Sequence, residues 1–242
     1  MAKRATLAPR ARQVRSPGEL LKELEEKLTQ EFSLHMLGRF SAIFEGWTDV
    51  GYVELAVKLN LQANGDDLLE IPPEIAGMDG ERIEIFTPGR PGDPSRGGTP
   101  QMVRLAEMLK PYVFTIRAFE GLVFVFDHDD EGQRAANQMQ VEGYNRDVNI
   151  ATLDPRQHPN ACAKKQVCIE DLLSLDIQRR FFESTSTTCS VDYVDGKQRR
   201  FHWSHSSKPE LRDFVVENAC LEDVREVIQL VKRIRDALGL PI

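Results

Sequence analysis

The chain has 242 residues, 41% of them hydrophobic and 29% charged, with a formal net charge of -7. That length allows one large core or one domain with sizeable additions. The acidic balance argues against wholesale coating by nucleic acid but leaves a local basic face open. No apolar run approaches the ~18 to 20 residues of a spanning helix, and the N-terminus lacks the apolar core of a secretion signal, so a cytoplasmic location with no membrane partner is expected.

Residues 1–15 carry Lys3, Arg4, Arg10, Arg12 and Arg15 and no acid. They read as a disordered basic arm, suited to nucleic-acid contact through counterion release or simply solvated. Ser16-Pro17-Gly18-Glu19 then predicts a helix start, with serine as N-cap, proline at the first helical position and glutamate completing a capping box. Leu20, Leu24 and Leu28, with Leu21 and Phe32 beside them, form a stripe at helical spacing that packs on the domain or docks on a partner. Residues 16–38 are read as this N-terminal helical segment.

From Phe40 short apolar runs alternate with helical segments, which predicts β-α-β units and a mostly parallel sheet over residues 39–155. Strands are expected near 40–45, 82–87, 121–127 and 148–153, and helices near 48–60, 99–110 and 131–144. Val113 to Phe119 fits either a helix extension or an extra strand. Residues 61–80 read as a polar, turn-rich insertion. Residues 88–100 are so dense in Pro and Gly that regular structure is excluded, and this loop should overhang whatever lies at the carboxyl end of its strand. Its Arg90 and Arg96 are candidate phosphate contacts.

Residues 156–242 read as a C-terminal extension: a hairpin from Thr185 to Ser204 around Asp195-Gly196, then helices near 208–219 and 221–238. Arg225, Lys232, Arg233 and Arg235 give the last helix a basic, solvated face. The four cysteines, Cys162, Cys168, Cys189 and Cys220, show no C-x-x-C pair or matching histidines, so packed, reduced thiols are expected rather than structural zinc.

Two strand ends carry the chemistry. The first apolar run stops at Glu45-Gly46, with Asp49 in the following helix, and the third runs out into Asp127-His128-Asp129-Asp130-Glu131-Gly132. In parallel α/β sheets ligands bind at the carboxyl ends of strands, so acids on neighbouring strands would face one another across a crevice. Two unit charges ~5 Å apart repel by roughly 3 kcal/mol at an effective dielectric of about 20. Hard divalent cations relieve that repulsion, and Mg²⁺ also keeps waters and binds phosphates. Each half alone also fits a helix N-terminus with acidic first-turn residues; Glu131 fits a dipole partner better than a ligand.

Glu45-Gly46-x-x-Asp49 and Asp127-x-Asp129-x-x-Gly132 resemble the two motifs of the TOPRIM domain, over residues 38 to 155. The wording F-E-G-W-T-D-V-x-Y-V-E-L-A, with the later Ile169-Glu170-Asp171-Leu172-Leu173, is similar to the OLD-type (overcoming lysogenization defect) nuclease branch. The resemblance implies a TOPRIM Rossmann-like fold completed by the C-terminal extension, and a Mg²⁺- or Mn²⁺-dependent endonuclease using one or two ions. Glu45, Asp49, Asp127 and Asp129 would be the metal ligands, with Glu45 doubling as general base, and Lys208 would offset charge on the phosphate. No phosphate loop of the G-x-x-x-x-G-K-[ST] kind occurs in the sequence. The ABC-type ATPase usual in this branch would then be a separate subunit, as in two-gene anti-phage defence systems. DNA or RNA, including tRNA, is the implied substrate class, and a homodimer is compatible. A primase-like phosphoryl-transfer enzyme and a non-catalytic metal- and nucleic-acid-binding subunit are the alternatives. Trp47 packs beneath a loop or stacks on a base.

Overall fold

The alternation of apolar runs and helices is resolved as one parallel sheet. In a computed structural model describing residues 16–32, 34, 37–77, 80–89, 98–153, 166–185, 189–194 and 197–242, its strands are β1 (Phe40–Phe44), β2 (Glu84–Phe86), β3 (Gly121–Phe126) and β4 (Ile150–Thr152). They lie in the order β2-β1-β3-β4, and every pairing is parallel. The helices are α1 (Pro17–Lys27), α2 (Trp47–Asn64), the single turn α3 (Pro73–Ala76), α4 (Thr99–Pro111), α5 (Asp130–Val141), α6 (Leu175–Ser184), α7 (Lys208–Asn218) and α8 (Arg225–Ala237). An antiparallel pair, β5 (Cys189–Val194) and β6 (Lys197–Trp203), precedes α7. The chain is therefore an α/β protein with a Rossmann-like arrangement.

Both faces of the sheet are covered, which is why its strands read as continuous apolar runs. Phe40, Ala42 and Phe44 of β1 and Val123 and Val125 of β3 face one core, shared with α2, α7 and α8. Ile43 of β1 and Leu122, Phe124 and Phe126 of β3 face the other, shared with α1, α4 and α5. The period-2 alternation of side chains on a strand produces this division. The C-terminal extension thus shares one core with β1, β3 and α2.

The helix start at Ser16 is as expected: its Oγ accepts from the Glu19 N–H, and its own N–H donates to the Glu19 carboxylate at 2.8 Å. The leucine stripe is spent inside the fold, since Leu24, Leu28 and Phe32 are buried in the second core, and Leu21 alone of the stripe is exposed. Tyr112–Ile116 continues α4 as a wide turn, so that ambiguous segment is a helix extension.

Three expectations need correction. Residues 61–80 are no polar surface insertion: α2 runs on to Asn64 and is capped by left-handed Gly65, and Leu68, Leu69, Ile71 and Ala76 are buried. Nor is the cationic face of α8 wholly solvated. Arg235 is buried and donates to the carbonyls of Leu68, Glu70 and Pro241, supplying donors that an irregular buried backbone needs. Cys168, Cys189 and Cys220 are free thiols, as read, but Cys220 is exposed rather than packed. Residues 1–15, Cys162 and the Asp195-Gly196 turn lie outside the described residues, as do Arg90 and Arg96.

Candidate active site

The strand order sets the place of the site. From β1 the chain passes to β2 on one side, and it later enters β3 on the other side of β1. The helix after β1, α2, covers one face and the helix after β3, α5, covers the opposite face. The two loops diverge and leave a crevice at the carboxyl ends, the usual ligand position in such sheets. Phe44 pairs with Val125, so the ends of the two strands lie side by side.

Glu45 spans that crevice. Its Oε1 accepts from the Asp127 N–H at 3.0 Å and its Oε2 from the Thr99 hydroxyl at 3.1 Å. Its carbonyl accepts from the Gly98 N–H at 2.9 Å, so the far end of the Pro- and Gly-rich loop is fastened to the site. Asp49 turns back to cap α2: Oδ2 accepts from the Gly46 N–H and Oδ1 from the Thr48 hydroxyl. Asp129 caps α5, its Oδ1 accepting from the N–H groups of Glu131 and Gly132. The structural readings of Asp49 and Asp129 as helix caps therefore hold, and both side chains still line the crevice.

Gly132 shows why the second motif ends in glycine. A Cβ there would lie 2.2 Å from the Asp127 carbonyl oxygen and 3.2 Å from Glu45 Oε1. Only an absent side chain lets α5 begin this close to the end of β3.

The C-terminal extension closes the site. His128 and Val167 exchange backbone hydrogen bonds of 2.7 and 3.1 Å, tying the segment after residue 165 to the acidic loop. This delivers the turn Ile169–Leu172, whose Glu170 is 1% exposed. Lys208 Nζ stands 2.9 Å from Glu170 Oε2, and Glu170 Oε1 has no hydrogen-bond partner among the described residues. Beside this pair Asp171 and Arg200, also buried, are 2.6 Å apart. Lys208 opens α7, where a cation opposes the helix dipole, and Glu170 supplies the offsetting charge.

Two cavities meet here. A cleft of about 930 Å³ is lined by Glu45, Asp49, Asp127, Asp129, Lys208 and Trp47 among others. A smaller one of about 200 Å³, lined by Glu170, Arg200 and Cys168, shares Asp127, Asp129 and Lys208 with it.

Electrostatics match that crowding. Burial, then the neighbouring Asp49 and Asp129 charges, push Glu45 up to about 7, against the hydrogen bonds from Asp127 and Thr99. Burial and Glu170 push Asp49 to about 7, opposed by Lys208. Asp127 is held well above the carboxylate range by burial and by Asp49 and Glu45. Lys208 is raised despite burial because Glu170, Asp127 and Asp49 stabilise its charge. The cleft therefore resists holding all of these carboxylates charged at once, with Lys208 as the opposing cation.

Among the described residues no three His, Cys, Asp or Glu side chains form a ready-made cation cage. The donor set nonetheless fits a hard divalent cation. Glu45, Asp49, Asp127 and Asp129 offer carboxylate oxygens alone, burial and then neighbouring carboxylates raise the first three, and Glu170 adds a buried carboxylate beside Lys208.

Family models, curated proteins and solved structures contain no match to this chain. The site must be read from its own chemistry. Of the sequence-derived candidates, Glu45, Asp49, Asp127, Asp129 and Lys208 line one cleft. Glu170, quoted in the sequence only within a motif, was missed as a site residue. An acid pair inside the apolar run Val167 to Leu173 was the available signal, because such acids are buried only with partners.

Proposed function

We propose that the chain is a metal-dependent nuclease that hydrolyses phosphodiester bonds of DNA or RNA. The observation that carries this reading is the convergence of Glu45, Asp49 and Asp127, all raised above the carboxylate range, with the cationic Lys208 in one cleft. Glu45, Asp49, Asp127 and Asp129 would hold Mg²⁺ or Mn²⁺, with Glu170 as a further donor. When bound, the ion would polarise the phosphoryl group and stabilise negative charge on the leaving oxygen.

The remaining work falls to the chain. Glu45, near pH 7 in its titration, suits a general base that takes a proton from the attacking water. Its two hydrogen bonds fix the carboxylate while it does so. Lys208 stays protonated and can turn from Glu170 toward charge gathering on the phosphate. The Gly98–Thr99 end of the loop and the start of α7 both line the cleft.

The resemblance of both acidic motifs to OLD-type TOPRIM nucleases supports a narrower reading: the effector subunit of a bacterial anti-phage system acting with a separate ABC-type ATPase. The test incubates purified protein with supercoiled plasmid and with RNA, in Mg²⁺ or Mn²⁺, with and without the cognate ATPase. The wild type should cut, and Glu45→Gln and Asp127→Asn should not. Binding without cutting in every arm would favour a non-catalytic binding subunit, and cutting that survives both substitutions would overturn the site.

A further inference from the structure

Trp47, the first residue of α2, lies between Glu45 and Asp49 in sequence and lines the cleft. Its indole is held from one side. The Arg212 guanidinium carbon lies 4.2 Å from the ring centroid, a close cation–π contact. Arg212 stands on α7 one turn beyond Lys208, so one helix face supplies both the site cation and the clamp on the tryptophan.

Several features lock the guanidinium there. Gly51, one turn along α2 from Trp47, leaves room for the arginine stem: a Cβ at 51 would lie 3.0 Å from Arg212 Cδ. Asp213 pairs with the far end at 2.7 Å. Arg212 Nε is buried and has no hydrogen-bond partner among the described residues, so the arginine is held by stacking and packing at the cost of an unmet donor. A residue needed only to fill space would not require a half-buried guanidinium with an unmet Nε behind it.

We propose that the Trp47–Arg212 pair is a stacking platform for one unpaired base of a single-stranded nucleic acid, DNA or RNA, beside the bond to be cut. This deepens the nuclease reading and rests on it. An aromatic ring has two faces; Arg212 lies over one, and Trp47, half-buried, lines the cleft. The Trp47 Cα lies at most about 7 Å from that of either acid, since two residues span no more. The platform and the acids therefore line the same cleft within a few ångströms of backbone. A base inside a duplex already stacks on its neighbours, so only an unstacked base can take the platform. The platform therefore selects single strands, loops or frayed ends over intact duplex.

The test measures fluorescence anisotropy in chelator, where no cation supports cutting. Labelled single-stranded DNA, RNA of the same sequence and the matching duplex are titrated with wild type, Trp47→Ala and Trp47→Phe. Trp47→Ala should weaken single-strand binding on the order of tenfold while duplex binding changes by less than about twofold, and Trp47→Phe should keep most of the affinity. A preference for DNA over RNA, or the reverse, identifies the strand the platform serves. Equal losses on single strand and duplex, or unchanged single-strand affinity with a lowered melting temperature, would overturn the platform and make Trp47 a packing residue. The cleavage assay is separate: a chain that cuts normally but binds single strands independently of Trp47 loses the platform and keeps the nuclease. One that binds through Trp47 and never cuts loses the nuclease and keeps the platform.

Discussion

Replacing Glu45 with glutamine should make the metal-free protein more stable at alkaline pH while abolishing cleavage. The substitution keeps the local hydrogen bonds. The glutamine carbonyl can accept from the Asp127 N–H as Oε1 does, and its amide can donate to the Thr99 hydroxyl, which rotates from donor to acceptor. What disappears is a charge held among other carboxylates. Burial first and then Asp49 and Asp129 raise Glu45 from 4.5 to about 7. The folded protein therefore binds more protons than the unfolded chain between those values. Its stability is full below pH 4.5, falls as pH rises toward 7 and stays reduced above, by about 3 kcal/mol for this one group. Asp49, raised by burial and by Glu170, changes in the same direction, but as a neighbour of Glu45 it titrates with it and its contribution does not simply add.

Thermal melts in chelator at pH 8.5 and pH 5 read this out. At pH 8.5 Glu45→Gln should melt about 6–12 °C above wild type, taking 2–4 °C per kcal/mol for a chain of this size. At pH 5 the two should lie within about 1 kcal/mol of each other, because wild-type Glu45 is largely protonated in the fold. Mg²⁺ should raise the wild-type melt at pH 8.5 and close most of the gap, since the cation does what the substitution does. A glutamine variant that melts at or below wild type at pH 8.5, or gains equally at both values, would refute the account of Glu45 as an uncompensated site charge.

Two further substitutions probe the parts contributed by α5 and α7. Lys208→Ala leaves Glu170, 1% exposed, without its cation and should cost about 3–5 kcal/mol; adding Glu170→Gln should restore most of the melting temperature but not turnover. In the double variant kcat should fall more than substrate affinity, and an equal fall in both would reduce Lys208 to a phosphate anchor. Gly132→Ala forces a Cβ to 2.2 Å from the Asp127 carbonyl and should remove activity with a loss of about 1–3 kcal/mol, whereas Gly18→Ala in α1, with nothing within 4 Å, should be neutral or stabilising in the same melts.

Much of the fold was legible because local signals agreed with the global arrangement. The Ser16 capping box, the apolar runs of β1 and β3 and the acids at their ends each placed an element within a few residues. What failed depended on partners distant in sequence. Residues 61–80 look like a loop by composition, but Arg235, more than 150 positions away, makes their buried carbonyls tolerable. Glu170 was hidden in the same way. Its neighbour in sequence, Asp171, points to Arg200, while Glu170 itself meets Lys208 on another helix.

Helix α7 shows how such long-range placement marks the candidate site. A lysine at a helix start opposes the dipole, and a half-buried arginine with an unmet, buried Nε violates polar satisfaction, yet both occur one turn apart on one face. Each charge is met beside the site: Glu170 stands against Lys208, and the Trp47 ring, with Asp213, against Arg212. Neither interaction is the cheapest way to hold α7 against α2, which Leu211 and Val215 already achieve in the shared core. Local rules broken together at one cleft, with packing supplied elsewhere, are the pattern expected where side chains are kept for a ligand rather than for the fold.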